Sequence, residues 1–101
     1  MGYKIKFSRS ARSDLEDIVR YISIDDVDRG LSFGEFLIKH TRSLSSFPER
    51  GRVVPEFGHE SIREIIVRAY RVVYLVNHDE QLIEVIRFWH AGRGKLELLL
   101  G

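Results

Sequence analysis

The chain has 101 residues, 44% of them hydrophobic and 31% charged, with a net charge of +1 and no cysteine. That is apolar material for one core and not two, so residues 1–101 are expected to form a single domain. Disulfides and thiolate metal sites are excluded, no apolar run approaches the roughly 20 residues that span a bilayer, and the near-neutral balance argues against a protein that holds nucleic acid by bulk charge.

Along the chain, Tyr3, Ile5 and Phe7 alternate with Lys4 and Lys6, which predicts a short strand. The charged N-terminus shows no signal peptide. Ser8 or Ser10 is placed to cap a helix that runs to about Ser23, with Ala11, Leu15, Ile18, Val19 and Ile22 on one stripe. Asp25, Asp26 and Asp28 break this helix. They read as caps and turn residues, not metal ligands, because no histidine or second acidic cluster stands near them in sequence. A second helix is expected from about Arg29 to Ser46, apolar on the Phe33, Phe36, Leu37, His40 and Leu44 side and ended by Phe47-Pro48. His40 reads as a packing residue, and the short connection makes the two helices antiparallel neighbours.

Pro48 to His59 is irregular, with a short strand expected at Val53 to Phe57 that Pro55 confines to a sheet edge. Ile62 to Val67, Tyr70 to Val76 and Leu82 to Trp89 then form a meander, turning at Asn77 to Glu80. Their apolar residues lie on both faces, as in central strands covered on each side. The tail from Gly94 carries Leu96, Leu98, Leu99 and Leu100, too apolar to sit in water unaided. The order βααββββ is an α+β fold, a helical hairpin packed on one face of an antiparallel-rich, twisted sheet.

Seven of the eight basic residues after Pro48 are arginines. Their planar forks suit carboxylate or phosphate oxygens. Arg50, Arg52, Arg63, Arg68 and Arg93 are candidates for contacting a target or a phosphate. The competing reading is local pairing with Glu49, Glu56, Glu60, Glu64 and Glu84.

The chain resembles the RelE/ParE superfamily, the toxins of bacterial type II toxin–antitoxin modules, often labelled plasmid stabilisation proteins. The resemblance covers nearly the whole length. It runs from Ser-x-x-Ala-x-x-Asp-Leu-x-x-Ile at Ser8 to Ile18, through Phe47-Pro48-Glu49-Arg50-Gly51-Arg52, Pro55-Glu56 and Tyr70-Arg71-Val72-Val73-Tyr74, to Ile86-Arg87-Phe88-Trp89-His90-Ala91-Gly92-Arg93. The Phe-Pro-x-x-Gly-Arg junction and the terminal His-x-x-Arg look more like the ParE branch. What this implies is a cytoplasmic toxin held inactive by a cognate antitoxin, with no cofactor and no metal. A homodimer or a heterotetramer with antitoxin are the assemblies it allows.

ParE-like toxins poison DNA gyrase by binding it. RelE-like toxins are endoribonucleases that cleave mRNA on the ribosome, so whether this chain is an enzyme depends on the branch. Metal-free RNA cleavage needs a base, an acid and a cation for the phosphorane charge. Glu56, Arg71 and His90 match, residue by residue, the Glu–Arg–His set of relatives that do this. Against that stand ordinary roles: Arg71 paired with Glu56 or Glu64, and His90 hydrogen-bonded at a strand end. The near-neutral charge and the absence of an aromatic residue after His90 favour the gyrase reading. A third reading is a non-toxic binding or autoregulatory subunit. Leu96, Leu98, Leu99 and Leu100 are expected either to cover the chain's own sheet or to bind the antitoxin.

Overall fold

The computed structural model describes residues 2–96. The elements are β1 (Lys4–Phe7), α1 (Arg9–Ser23), α2 (Val27–Arg42), a 3-10 turn (Ser43–Ser45), β2 (Arg52–Val53), β3 (Ile62–Val67), β4 (Tyr70–Asn77), β5 (Leu82–His90) and a second 3-10 turn (Ala91–Arg93). The five strands form one sheet in the order β1-β5-β4-β3-β2, with β1 parallel to β5 and every other pair antiparallel. Among the described residues no helix is long and apolar enough to cross a membrane.

Capping chemistry sets the helix starts. The Ser8 hydroxyl accepts from Ala11 N at 3.0 Å and donates to Ile86 O at 3.1 Å, so one side chain caps α1 and ties it to β5. Asp26 accepts from Arg29 N at 3.1 Å, which makes it the cap of α2. The second helix therefore begins at Val27 and not at Arg29. It also ends earlier, at Arg42, and only a 3-10 turn continues it. Two serine hydroxyls bond to carbonyls there instead of supporting an α-turn, Ser43 to His40 O and Ser45 to Tyr3 O, each at 2.6 Å.

The strand expected at Val53 to Phe57 shrinks to Arg52–Val53. Pro55 has no N–H to give a ladder, and the chain turns at once, with Phe57 N bonding back to Val54 O at 3.1 Å.

Both helices cover one face of the sheet. Ala11 and Ile18 of α1 and Leu37 of α2 pack on Ile65, Val72, Tyr74, Val76, Ile83, Val85 and Phe88. The helices lie close because α2 presents glycines to α1. A Cβ on Gly30 would meet Val19 O at 2.8 Å, and one on Gly34 would meet Val19 Cγ2 at 2.8 Å.

A bulge decides what β5 offers to each face. Val73 pairs with Arg87 but Tyr74 pairs with Val85, so Ile86 is an extra residue. The bulge resets the alternation, and Phe88 joins Val85 and Ile83 on the helix side while Ile86 and Trp89 turn to the other. There Trp89 packs with Val54, Val73 and Leu96, flanked by Ile62 and Ile86. The far face is thus partly covered by the chain's own segment after β5.

Candidate functional site

The far face carries a chain of ion pairs that begins on the short edge strand. Arg52 is opposite Glu64 in the β2–β3 register, and the two side chains lie on the same face. Arg52 Nε donates to Glu64 Oε2 at 2.7 Å, and Arg71 Nε donates to Glu64 Oε1 at 2.6 Å. The Glu64 side chain is 0% exposed, so both oxygens need these partners. Arg71 then turns the rest of its fork to Glu56: Nη1 donates to Oε2 and Nη2 to Oε1, each at 2.7 Å. Glu56 Oε2 also accepts from Leu96 N at 3.0 Å. The sequence from edge strand to tail reads Arg52, Glu64, Arg71, Glu56, Leu96.

Arg71 and Glu56 have side chains only 11% and 14% exposed, so the pair is largely withdrawn from water. Hydrogen bonds from Arg71 hold the Glu56 carboxyl at about 2 instead of 4.5, against the opposing effect of burial, and the Leu96 N–H adds to the lowering. The same carboxylates, Glu56 first and then Glu64, push the Arg71 pKa up while burial opposes them.

The tail segment is fixed at several further points. Trp89 Nε1 donates to Gly94 O at 3.2 Å, and the Arg93 guanidinium carbon lies 4.0 Å from the Trp89 ring centroid. Gly94 adopts φ 88°, a left-handed backbone that turns the chain toward Glu56 and suits glycine. Leu96 is then 3% exposed, seated on the sheet of its own chain. Of the two uses expected for the leucine tail, Leu96 shows the self-covering one, packed with Val54, Val73 and Trp89. Leu98, Leu99 and Leu100 lie outside the described residues.

His90 stands elsewhere. Arg71 faces Trp89 across the β4–β5 ladder and His90 faces Tyr70, one residue along. Successive residues of a strand point to opposite faces. Tyr70 packs toward the helices, with its ring 5.7 Å from Phe33, and His90 meets the Tyr70 ring edge-on at 5.2 Å. His90 Nδ1 accepts from Gly92 N at 2.9 Å and so starts the last 3-10 turn. The structure brings Glu56 and Arg71 into contact and separates His90 from them by the thickness of the sheet.

The remaining candidate arginines are dispersed. Arg63 donates to Glu60 O and Gly51 O, both at 3.0 Å, and lies 4.0 Å from Glu49. It serves to hold the loop before β2, where Gly51 N donates to the buried Tyr74 hydroxyl at 2.9 Å. Arg50 is exposed. Arg68 sits in the β3–β4 turn with its guanidinium 4.8 Å from the Phe36 ring centroid.

The pairing of one structural carboxylate escaped the sequence reading. Asp14 takes a two-pronged bond from Arg87, Nε at 2.7 Å and Nη2 at 2.8 Å, and also accepts from Phe88 N at 3.0 Å. It satisfies the edge of β5 beyond the point where β1 stops. The signal was its position three residues after Ala11, on the helix stripe that faces the sheet, where a carboxylate needs a cation.

Comparison with known proteins gives a consistent result. A chain of the chromosomal ParDE toxin–antitoxin system from P. aeruginosa is similar over 87% of this chain and 95% of that one, with a TM-score of 0.71 and 16% identity. A mutant of the E. coli toxin RelE in the free state gives a TM-score of 0.69 at 21% identity, covering 93% of this chain and 88% of that one. A chain of the RelBE2 toxin–antitoxin complex from Mycobacterium tuberculosis gives 0.60 at 20% identity, covering 89% and 99%. These likenesses establish the shared fold. No match is found among curated protein sequences. The family model described as the ParE toxin of the type II toxin-antitoxin system, parDE, matches residues 5–94. With nearly every described element inside that match, the chain belongs to the ParE toxin family of type II toxin–antitoxin systems.

Proposed function

We propose that this toxin acts by binding and inhibiting DNA gyrase in the bacterial cytoplasm, and that a cognate antitoxin neutralises it. The observation that carries the reading is the commitment of Arg71. Its Nε, Nη1 and Nη2 atoms all donate to carboxylates, and its candidate acid partner His90 faces the other side of the sheet. A phosphate clamp would have to break two ion pairs, one with a fully buried carboxylate, before meeting its substrate. A non-enzymatic mode makes no such demand. The ParE family match points the same way.

The antitoxin is inferred from that family and from the toxin–antitoxin assemblies named for two of the structural neighbours. Leu98, Leu99 and Leu100 remain its proposed contact, and exposed Arg50 a proposed target contact. The test is a gyrase supercoiling assay with the purified chain. Inhibition at molar excess, relieved by the antitoxin, is expected. Full supercoiling with no trapped cleavage complex would overturn the proposal.

A second reading, a ribosome-dependent endoribonuclease, draws on the Glu56–Arg71 contact alone. Primer extension on translating mRNA distinguishes it: site-specific cutting abolished by His90→Ala would replace the gyrase reading with this one.

A further inference from the structure

A cleft of about 690 Å³ opens where the start of β1, the loop before β2 and the β4–β5 turn meet. Phe47 and Pro48 give it an apolar wall, and Tyr3, His78, Glu49 and Arg50 also line it. A cavity of this size with a few convergent polar groups is the ordinary form of a ligand site.

Three of these side chains form a line. The Tyr3 hydroxyl is 2.6 Å from His78 Nδ1, and His78 Nε2 is 2.9 Å from Glu49 Oε1. A carboxylate accepts, so Nε2 carries the imidazole proton and Nδ1 is left to accept from the tyrosine. Hydroxyl, base and orienting carboxylate thus stand in the order that activates a nucleophile. Tyr3 and His78 are 75 residues apart in the chain, so no local turn imposes their contact.

The line is held from outside. Tyr3 N donates to Ser45 O at 2.8 Å and Tyr3 O accepts from Ser45 Oγ at 2.6 Å, which pins the backbone of the tyrosine. The imidazole meets the Tyr3 ring edge-on, with centroids 5.7 Å apart. Asn77 Oδ1 accepts from Glu80 N at 3.0 Å and fixes the turn that carries His78. Arg63 lies 4.0 Å from Glu49 Oε2, so the carboxylate is engaged on both oxygens.

Arg50 selects the substrate class. Glu49 precedes it in the chain but is taken up by His78 and Arg63, and among the described residues no carboxylate lies within ion-pair distance of Arg50. Asp79 and Glu80, in the same turn as His78, do not line the cleft. An unpaired planar guanidinium beside a nucleophile suits phosphate oxygens.

We propose that Tyr3 is a base-activated nucleophile that takes a phosphoryl group from a mixed anhydride of phosphate and a carboxylic acid. In this step the Tyr3 oxygen bonds to phosphorus and the anhydride P–O bond breaks. Its electron pair leaves with the carboxylate, and the hydroxyl proton passes to His78 Nδ1. Glu49 is a positioning residue that steadies the imidazolium, and Arg50 counters the charge on the phosphoryl oxygens. The product is a toxin modified at the start of β1. The inference does not depend on the gyrase reading.

The test incubates the full chain with acetyl phosphate and follows each tyrosine by peptide mass spectrometry. Tyr21 is the internal control, because it is 75% exposed and accessibility alone would label it first. Phosphoryl transfer to Tyr3 is expected, roughly 10²-fold faster than to Tyr21, on the scale of general-base catalysis. His78→Gln should bring Tyr3 down to the Tyr21 rate. Glu49→Gln keeps a hydrogen-bonding group and removes the charge, so a smaller loss of rate is expected at an unchanged melting temperature. A merely structural clip would give no such loss. Four results would each overturn the proposal: no adduct on Tyr3, an acetyl in place of a phosphoryl adduct there, labelling of Tyr21 as fast as Tyr3, or an unchanged Tyr3 rate in His78→Gln.

Discussion

The two faces of the sheet solve the same problem with different chemistry. The helix side is buried by apolar stripes, with Ala11, Leu37, Val72 and Val85 fully covered. Its stabilisation is non-directional and grows with the area removed from water. The far side has only a small apolar cluster, Val54, Val73, Trp89 and Leu96, set beside a line of four charged side chains. There the order comes from directional bonds, each demanding its partner. The contrast teaches that charged residues on a sheet face can be structural even when their types match a catalytic set.

The sharpest way to break this contrast is to remove Arg71. Arg71→Ala leaves the fully buried Glu64 with only the exposed Arg52, and leaves Glu56 with no cation. Breaking a buried pair by deleting one member costs about 3–5 kcal/mol. The expected outcome is a correspondingly lower denaturant midpoint. An unchanged midpoint would show that Arg71 is held for function and not for the fold.

On the helix side the informative single change adds atoms. Gly30→Ala drives a methyl against Val19 O, a backbone atom that cannot move without shifting α1. Overpacking of this kind costs about 1–3 kcal/mol, and the upper half is expected here. Gly34→Ala meets only a side-chain methyl of Val19 and should cost less. Thermal melts of the two variants rank them, and equal losses would count against the backbone contact.

How much of this was legible follows from which forces leave a local trace. Apolar periodicity exposed β1, α1 and all three long strands, with β3 at Ile62–Val67 as expected and β4 and β5 each one residue longer at the C-terminal end. The bulge at Ile86 left no such trace, because β5 is apolar on both sides and any parity looks acceptable. That bulge decides whether Trp89 faces the helices or the tail, and therefore on which side His90 stands. The candidate site suffered in the same way. Sequence types assembled Glu56, Arg71 and His90 into one trio, while strand alternation puts neighbouring ladder pairs on opposite faces. The pairing of Arg71 with Glu56 or Glu64 was anticipated as an alternative; that it takes both at once depends on loop geometry between β2 and β3 that no spacing rule encodes.

A smaller change sharpens the far face alone. Leu96→Ala removes a buried side chain from the tail, at a cost of about 2 kcal/mol, the low end for such truncations because Leu96 lies outside the regular helices and strands, where the site can partly collapse. Trp89 is the single tryptophan of the chain and packs against Leu96. Its emission should shift to the red in this variant while the helical circular dichroism stays constant. A coincident loss of both signals would mean that the two faces unfold as one unit and cannot be separated.

The least perturbing probe is acid. The Glu56 carboxyl is held at about 2, below its ordinary 4.5, chiefly by hydrogen bonds from Arg71. A carboxylate lowered on folding contributes stability that is fully present above its unfolded value and is lost as pH falls through the folded value. The far face should therefore loosen between pH 4.5 and about 2, with Trp89 emission reporting the release of the Leu96 N–H from Glu56 Oε2. Glu56→Gln keeps the shape and removes the titration. Its far face should start looser at neutral pH, and its Trp89 signal should show a smaller change through that window. If the parent and Glu56→Gln chains follow the same acid profile, the tail is held by the Leu96 side chain alone, and the ion-pair line ends at Arg71.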